Sequence, residues 1–128
     1  MASETGSVSA VALTLGHLRL PVTDLEKSVA FFEAIGAEAD TRRDRFTVVE
    51  FGDRTRLQLT EIDGPVPAGQ DLQFDFRVGD IDAAWRDCDA RGLNPGEITR
   101  RTPGHDWFLL TAPDGYEVKI NSGFKRAP

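Results

Sequence analysis

The 128-residue chain has one cysteine, Cys88, so it can form no intrachain disulfide and holds no C-x-x-C metal or redox pair. It is short of positive charge. Fifteen Lys and Arg face 21 Asp and Glu, for a net charge of −6. That balance argues against a nucleic-acid partner, which usually meets a basic face. It suits solubility, and by itself would also suit a cationic ligand. No apolar run approaches the roughly 18 residues that span a bilayer, so no membrane partner is expected. The opening MASETGSVSA lacks the basic and apolar regions of a secretory signal. Residues 1–12 are expected to be a disordered tail and 123–128 a short C-terminal tail, with the protein in the cytoplasm. The length allows one domain with a modest core.

What the chain does have is an internal repeat. His17-Leu-Arg-Leu-Pro-Val-Thr-Asp-Leu25 returns as Gln73-Phe-Asp-Phe-Arg-Val-Gly-Asp-Ile81, 56 residues later. The match runs without a gap to Gly36 and Gly92. Two copies of this length indicate a duplicated supersecondary unit, not a solenoid. In the first copy, period-two alternation over His17–Val22 predicts a half-buried strand. Thr23 and Glu26 have the spacing of a capping box. Leu25, Val29, Phe32 and Ile35 recur at helical spacing up to Gly36, a C′ glycine. Strands are expected near 38–43, 46–51 and 55–62, with Gly52-Asp53 in the last turn. Asp63–Gln70, rich in Pro and Gly, reads as a linker.

The second copy follows suit. It predicts a strand over Leu72–Val78, an Asp80 N-cap, and a helix with Ile81, Ala84, Trp85 and Cys88 on one face. Strands then follow near 97–101, 106–111 and 116–121, the last introduced by a Pro113–Gly115 turn. The expected fold class is α+β: two tandem βαβββ modules, 13–62 and 71–122, forming a curled mixed sheet around a cleft within one domain, 13–122.

Strand alternation sorts the side chains. Leu18, Leu20 and Val22 share a face, as do Phe74, Phe76 and Val78. His17 and Arg19 lie opposite the first set, and Gln73, Asp75 and Arg77 opposite the second. In the closing strands, Gln58 and Thr60 oppose Leu57 and Leu59; Glu117, Lys119 and Asn121 oppose Val118 and Ile120. The apolar faces suit the helices. The polar faces then either meet water or face each other across a cleft.

The paired modules, the H-L-R-L-P-V-T-D-L-E-K-S run from His17 to Ser28, Phe31-Phe32, the Phe76–Asp82 segment and Ala112-Pro-Asp-Gly115 together resemble the vicinal oxygen chelate superfamily. This is the group of glyoxalase I, extradiol dioxygenases, and fosfomycin and bleomycin resistance proteins. The resemblance covers about residues 14–122. It implies modules curled around a cleft, often in homodimers, and in metal-dependent members four ligands from the first and last strands of each module. Carried over, those positions are His17, Gln58, Gln73 and Lys119. His17 is a good ligand and a glutamine oxygen a weak one. Lys119 offers only donors, and at ~4 Å a divalent ion would repel it by several kcal/mol. A one-residue slip bringing in Glu117 is expected to swing Val118 and Ile120 outward. No metal and no cofactor are therefore expected.

The remaining cleft offers His17 and the carboxylates Asp75 and Glu117 as acid–base candidates. Arg19, Gln58, Thr60, Gln73, Arg77, Trp107, Lys119 and Asn121 are candidate ligand-binding residues. Trp107 suits either stacking on an aromatic ligand or plain packing. Trp85 and Cys88 read as core. His105 reads as exposed and incidental. Arg42, Arg43, Arg45 and Arg54 read as a solvated hairpin cluster, and Arg100-Arg101 as a solvated pair, with reach to an anionic group as the alternative. The leading expectation is a metal-independent small-molecule-binding protein of the bleomycin-resistance type. It would bind a bulky polar or aromatic ligand, an antibiotic or a pathway intermediate. The alternative is a metal-free isomerase, cyclase or lyase of secondary metabolism using His17 or Asp75. A metal-dependent lyase or dioxygenase ranks third.

Overall fold

The structure, a computed structural model, describes residues 13, 15–52, 54–66 and 72–128. Residues 1–12, Asp53 and the 67–70 part of the expected linker lie outside the described residues. The chain is α+β. It runs β1 (Leu18–Val22), α1 (Leu25–Ala34), β2 (Glu38–Arg42), β3 (Phe46–Glu50), β4 (Arg56–Glu61), β5 (Phe76–Arg77), α2 (Ile81–Ala90), β6 (Trp107–Thr111) and β7 (Glu117–Asn121). One sheet has the order β1-β4-β3-β2 and the other β5-β7-β6. In both, the first strand runs parallel to the last: β1 on β4, and β5 on β7.

The duplication extends to strand register. Arg19 pairs with Gln58. Phe76 pairs with Ile120, which sets Asp75 beside Lys119 one residue earlier on each strand. Asp75 is the repeat partner of Arg19, so Gln58 and Lys119 hold equivalent places. The two helices also match. Asp24 and Asp80 cap them, accepting from Lys27 N at 3.1 Å and Ala83 N at 3.0 Å. Gly36 and Gly92 follow at φ 112° and 76°, the left-handed backbone that a C′ glycine supplies.

Three details differ from the sequence expectation. The cap of α1 is Asp24, not a Thr23–Glu26 box. The Thr23 hydroxyl and N–H both donate to the Asp114 carboxylate, so that hydroxyl serves the other module. The strand expected over Leu72–Val78 has a ladder only at Phe76–Arg77, although exposure still alternates along it. The strand expected at 97–101 is reduced to one bridge, Thr99 to Trp107. Here Gly96 N donates to Leu109 O, while Thr99 N donates to Trp107 O. Three residues on one side span two on the other, and this bulge-like mismatch breaks the ladder. The Trp85 indole N–H takes the Gly96 carbonyl at 2.8 Å.

Both modules feed one core. Leu20, Val22, Leu57 and Leu59 from the first sheet join Phe108, Leu110, Val118 and Ile120 from the second in a single buried cluster. Phe32 of α1 sits in it, 6.3 Å from the Phe76 ring and 6.3 Å from Phe51. Polar links reinforce the join. The Tyr116 hydroxyl donates to Pro21 O at 2.7 Å, and Arg91 Nη1 donates to Ala34 O at 2.6 Å. Cys88 is buried, as expected. No helix among the described residues is long and apolar enough to cross a membrane.

The buried Ser28 hydroxyl has no hydrogen-bond partner among the described residues. Its repeat position is held by Ala84. A buried hydroxyl without a partner costs stability. Ser28→Ala is therefore expected to leave stability unchanged or raise it by up to about 1 kcal/mol. Phe32→Ala, which opens a cavity where the modules meet, is expected to cost about 3–5 kcal/mol. Urea denaturation of both variants checks this ranking.

Candidate functional site

With the apolar faces spent on one core, the polar faces look outward. On the second module, β6 and β7 set Trp107 against Asn121, Leu109 against Lys119 and Thr111 against Glu117. Phe108, Leu110, Val118 and Ile120 alternate with them and are buried. Leu72, Gln73, Phe74 and Asp75 run alongside. Together with Trp107, Leu109, Glu117 and Lys119 they line a cavity of about 450 Å³. A second cavity, also about 450 Å³, lies across Asp75, Trp107 and Lys119, which line both. Arg77, Arg101, Gly104, His105 and Asn121 complete it.

The structure thus brings Gln73, Asp75, Arg77, Trp107, Glu117, Lys119 and Asn121 together. It does not bring the first module's candidates to them, since every residue lining these two cavities belongs to the second module. Exposed His17 lines a separate cavity of about 170 Å³ with Arg54 and Arg56. Arg19 is exposed beside half-buried Gln58, whose Nε2 donates to Thr60 Oγ1 at 3.3 Å. Among the described residues, a cavity of about 680 Å³ does span the two modules, setting Asp75 and Arg77 near Leu18, Thr55 and Leu57, but none of His17, Arg19, Gln58 and Thr60 lines it.

The Lys119 ammonium lies 4.4 Å from the centre of the Trp107 ring, a cation–π contact. One Trp107 face is therefore already occupied. Glu117 and Lys119 share a face two residues apart. Exchanging them would take a two-residue slip, not one, and would leave Val118 and Ile120 inward. The hydrogen-bonded ladder to β6 holds Lys119 in place.

His105 is not incidental. Its Nδ1 binds Ser122 O at 2.7 Å. A carbonyl only accepts, so this nitrogen carries the proton. Next to it Asp106 is buried. Its carboxylate accepts from Lys125 Nζ at 2.7 Å, Arg101 N at 3.1 Å and Arg100 Nη1 at 3.4 Å. Arg100 also binds Asp82, so the expected solvated pair is divided, with Arg100 in ion pairs and Arg101 on the cavity. Arg101 and His105 lie outside the repeated segment and outside the first and last strands, where alternation marked the polar-face candidates. Arg42, Arg45 and Arg54 pair with Glu33, with Glu61 and Asp63, and with Glu50 on the exposed hairpin.

A family model of the Glyoxalase/Bleomycin resistance protein/Dioxygenase superfamily matches residues 14–120. The chain belongs to that superfamily. No curated protein matches it. Among solved structures, lactoylglutathione lyase from Agrobacterium tumefaciens is 19% identical with a TM-score of 0.71, covering 88% of this chain and 96% of that one. A bleomycin resistance determinant encoded on a transposon is 20% identical with a TM-score of 0.66, covering 86% and 98%. A fosfomycin resistance protein from Listeria monocytogenes, solved with Mn(II), is 18% identical with a TM-score of 0.69, covering 86% and 92%. At these identities the likeness speaks to the fold alone.

The donors in this superfamily member do not fit a divalent ion. His17, Gln58, Gln73 and Lys119 supply one imidazole, two neutral amides and an ammonium, and the ammonium rests on Trp107. Among the described residues, no three His, Cys, Asp or Glu side chains gather as a cation site.

The Lys125 hydrogen bond, with the Arg101 N–H and the charges of Lys125 and Arg100, holds the Asp106 carboxyl below the usual carboxylate range against the opposing effect of burial. A carboxyl lowered on folding adds stability above its unfolded value of about 3.9, and this is lost as pH falls through the folded value. Asp106→Asn is expected to be less stable than the parent near neutral pH. The gap should narrow below about pH 4. Urea denaturation at both pH values checks the sign.

Proposed function

We propose that this superfamily member is a metal-independent small-molecule-binding protein of the bleomycin-resistance type, with its ligand seated on the polar face of the second module. The observation that carries this reading is the pair of adjoining cavities around Lys119 and Trp107, with a mixed lining of Gln73, Asp75, Glu117, Phe74 and Leu109. Apolar walls with a few converging polar groups suit a bulky polar or aromatic ligand, an antibiotic or a pathway intermediate. The ammonium at the position where metal-dependent relatives need a ligand supports binding without a metal.

The site is open on one side within a chain. A homodimer would close it by setting the His17, Arg19, Gln58 and Thr60 face of one copy over the second module of its partner. The lone buried cysteine supports a cytoplasmic setting. A second reading rests on Asp75 beside Lys119, with Glu117 on the same face. These groups, with His17, would serve a metal-free isomerase, cyclase or lyase.

Titration calorimetry with bleomycin and with planar polar aromatics is expected to give saturable binding to at least one of them. Trp107→Ala should weaken it about tenfold or more. Sedimentation should show a dimer, and elemental analysis of protein purified without chelator less than one divalent metal per chain. Binding to none of the panel sinks the proposal. A loss of turnover of about 10²-fold in Asp75→Asn or His17→Ala, with binding kept, would favour the enzyme.

A further inference from the structure

The overall charge of −6 suits a cationic ligand, but the charge around the second cavity has the opposite sign. Arg77 and Lys119 reach it from β5 and β7, and Arg101 from the loop before β6. Among the described residues, Asp75 is the only carboxylate that lines it. Three permanent cations therefore meet one anion in about 450 Å³. Asp106 is near in sequence but does not neutralise them. Its Oδ1 is taken by Lys125 Nζ and the Arg101 backbone N–H, and its Oδ2 by Arg100.

Pairing elsewhere is mixed: among the described residues Arg19, Arg43, Arg86 and Arg126 have no carboxylate within 4.0 Å, but they do not converge on this cavity. Arg42, Arg45, Arg54, Arg56, Arg91 and Arg100 each lie within 4.0 Å of a carboxylate. Among the described residues, neither the Arg77 nor the Arg101 guanidinium has an ion-pair partner, and Lys119 has only the Trp107 ring. Like charges converging on one concavity repel one another and raise the local potential. A bound oxyanion relieves that repulsion, and guanidinium forks match carboxylate and phosphate oxygens. The adjoining cavity has a different lining. Leu72, Phe74 and Leu109 offer an apolar wall, reached past the Lys119–Trp107 pair.

We infer that the ligand of this site is an organic oxyanion, a carboxylate or phosphate ester on an aromatic body. Its anionic group sits among Arg77, Arg101 and Lys119, and its ring lies toward Leu109 and Phe74. This rests on the proposed binding role of the second module and narrows its ligand class. The anionic group neutralises the cation cluster, while the ring fills the apolar end.

The test is titration calorimetry of the full-length protein with phenyl phosphate, benzoate, benzyl alcohol and benzylamine. Phenyl phosphate or benzoate should bind, and at least about tenfold more tightly than the neutral and cationic compounds. Arg77→Gln and Arg101→Gln should each weaken that binding about tenfold. Arg43→Gln, the same charge change on the exposed hairpin, should leave it unaltered. If benzyl alcohol or benzylamine binds as tightly as the anions, with affinity still dependent on Trp107, the oxyanion assignment falls while the binding site stands. If the anions bind but Arg77→Gln and Arg101→Gln behave like Arg43→Gln, the assignment also falls. If none of the four binds, while a larger aromatic binds in a Trp107-dependent way, the oxyanion assignment falls alone. If no aromatic of any charge binds, both readings fall.

Discussion

Every other feature of this molecule depends on two sheets sharing one apolar core. Along β1, β4, β6 and β7 the side chains alternate, and the inward set is almost wholly aliphatic or aromatic. Inward residues of both sheets join Phe32 in one buried cluster, so the modules complete each other's burial. The outward set then has no choice of direction. Gln58 and Lys119 lie on the outer face because Leu57, Leu59, Val118 and Ile120 take the inner one.

That arrangement separates stability from recognition. Core strands hold the backbone of β6 and β7, and the polar residues between them are free to vary in chemistry without cost to the fold. A superfamily known for unrelated activities on one scaffold follows naturally from this division. In this chain the variation went toward an ammonium stacked on an indole, beside unpaired guanidinium groups. Loop residues join strand residues there. Asp106, with both its oxygens engaged, anchors the segment that carries Arg101 and His105 to the end of β7.

Much of the fold was legible because its signals are local. The 56-residue repeat, the Asp24 and Asp80 caps, the Gly36 and Gly92 stops and the period-two alternation each need only a few neighbouring residues. Where reading failed, a distant group intervened. Thr23 looked like a cap until Asp114, 91 residues away, took its hydroxyl. The strand at 97–101 looked continuous until the pairing of Gly96 and Thr99 with β6 fell out of step. His105 looked incidental because nothing in a loop motif foretells the Ser122 carbonyl that binds it.

The sequence by itself determined the duplicated strand-helix start of each module, the inward and outward set of each strand, and the chemistry on each polar face, including the Lys119 ammonium. Those are consequences of backbone periodicity and side-chain type. Only the tertiary structure decided which polar groups meet. One chain gathers Asp75, Arg77, Trp107 and Lys119 with Arg101, and leaves His17, Arg19, Gln58 and Thr60 elsewhere. The reason is that the packing of one module on the other is set by the fit of their apolar faces, and no alternation within a strand records that fit.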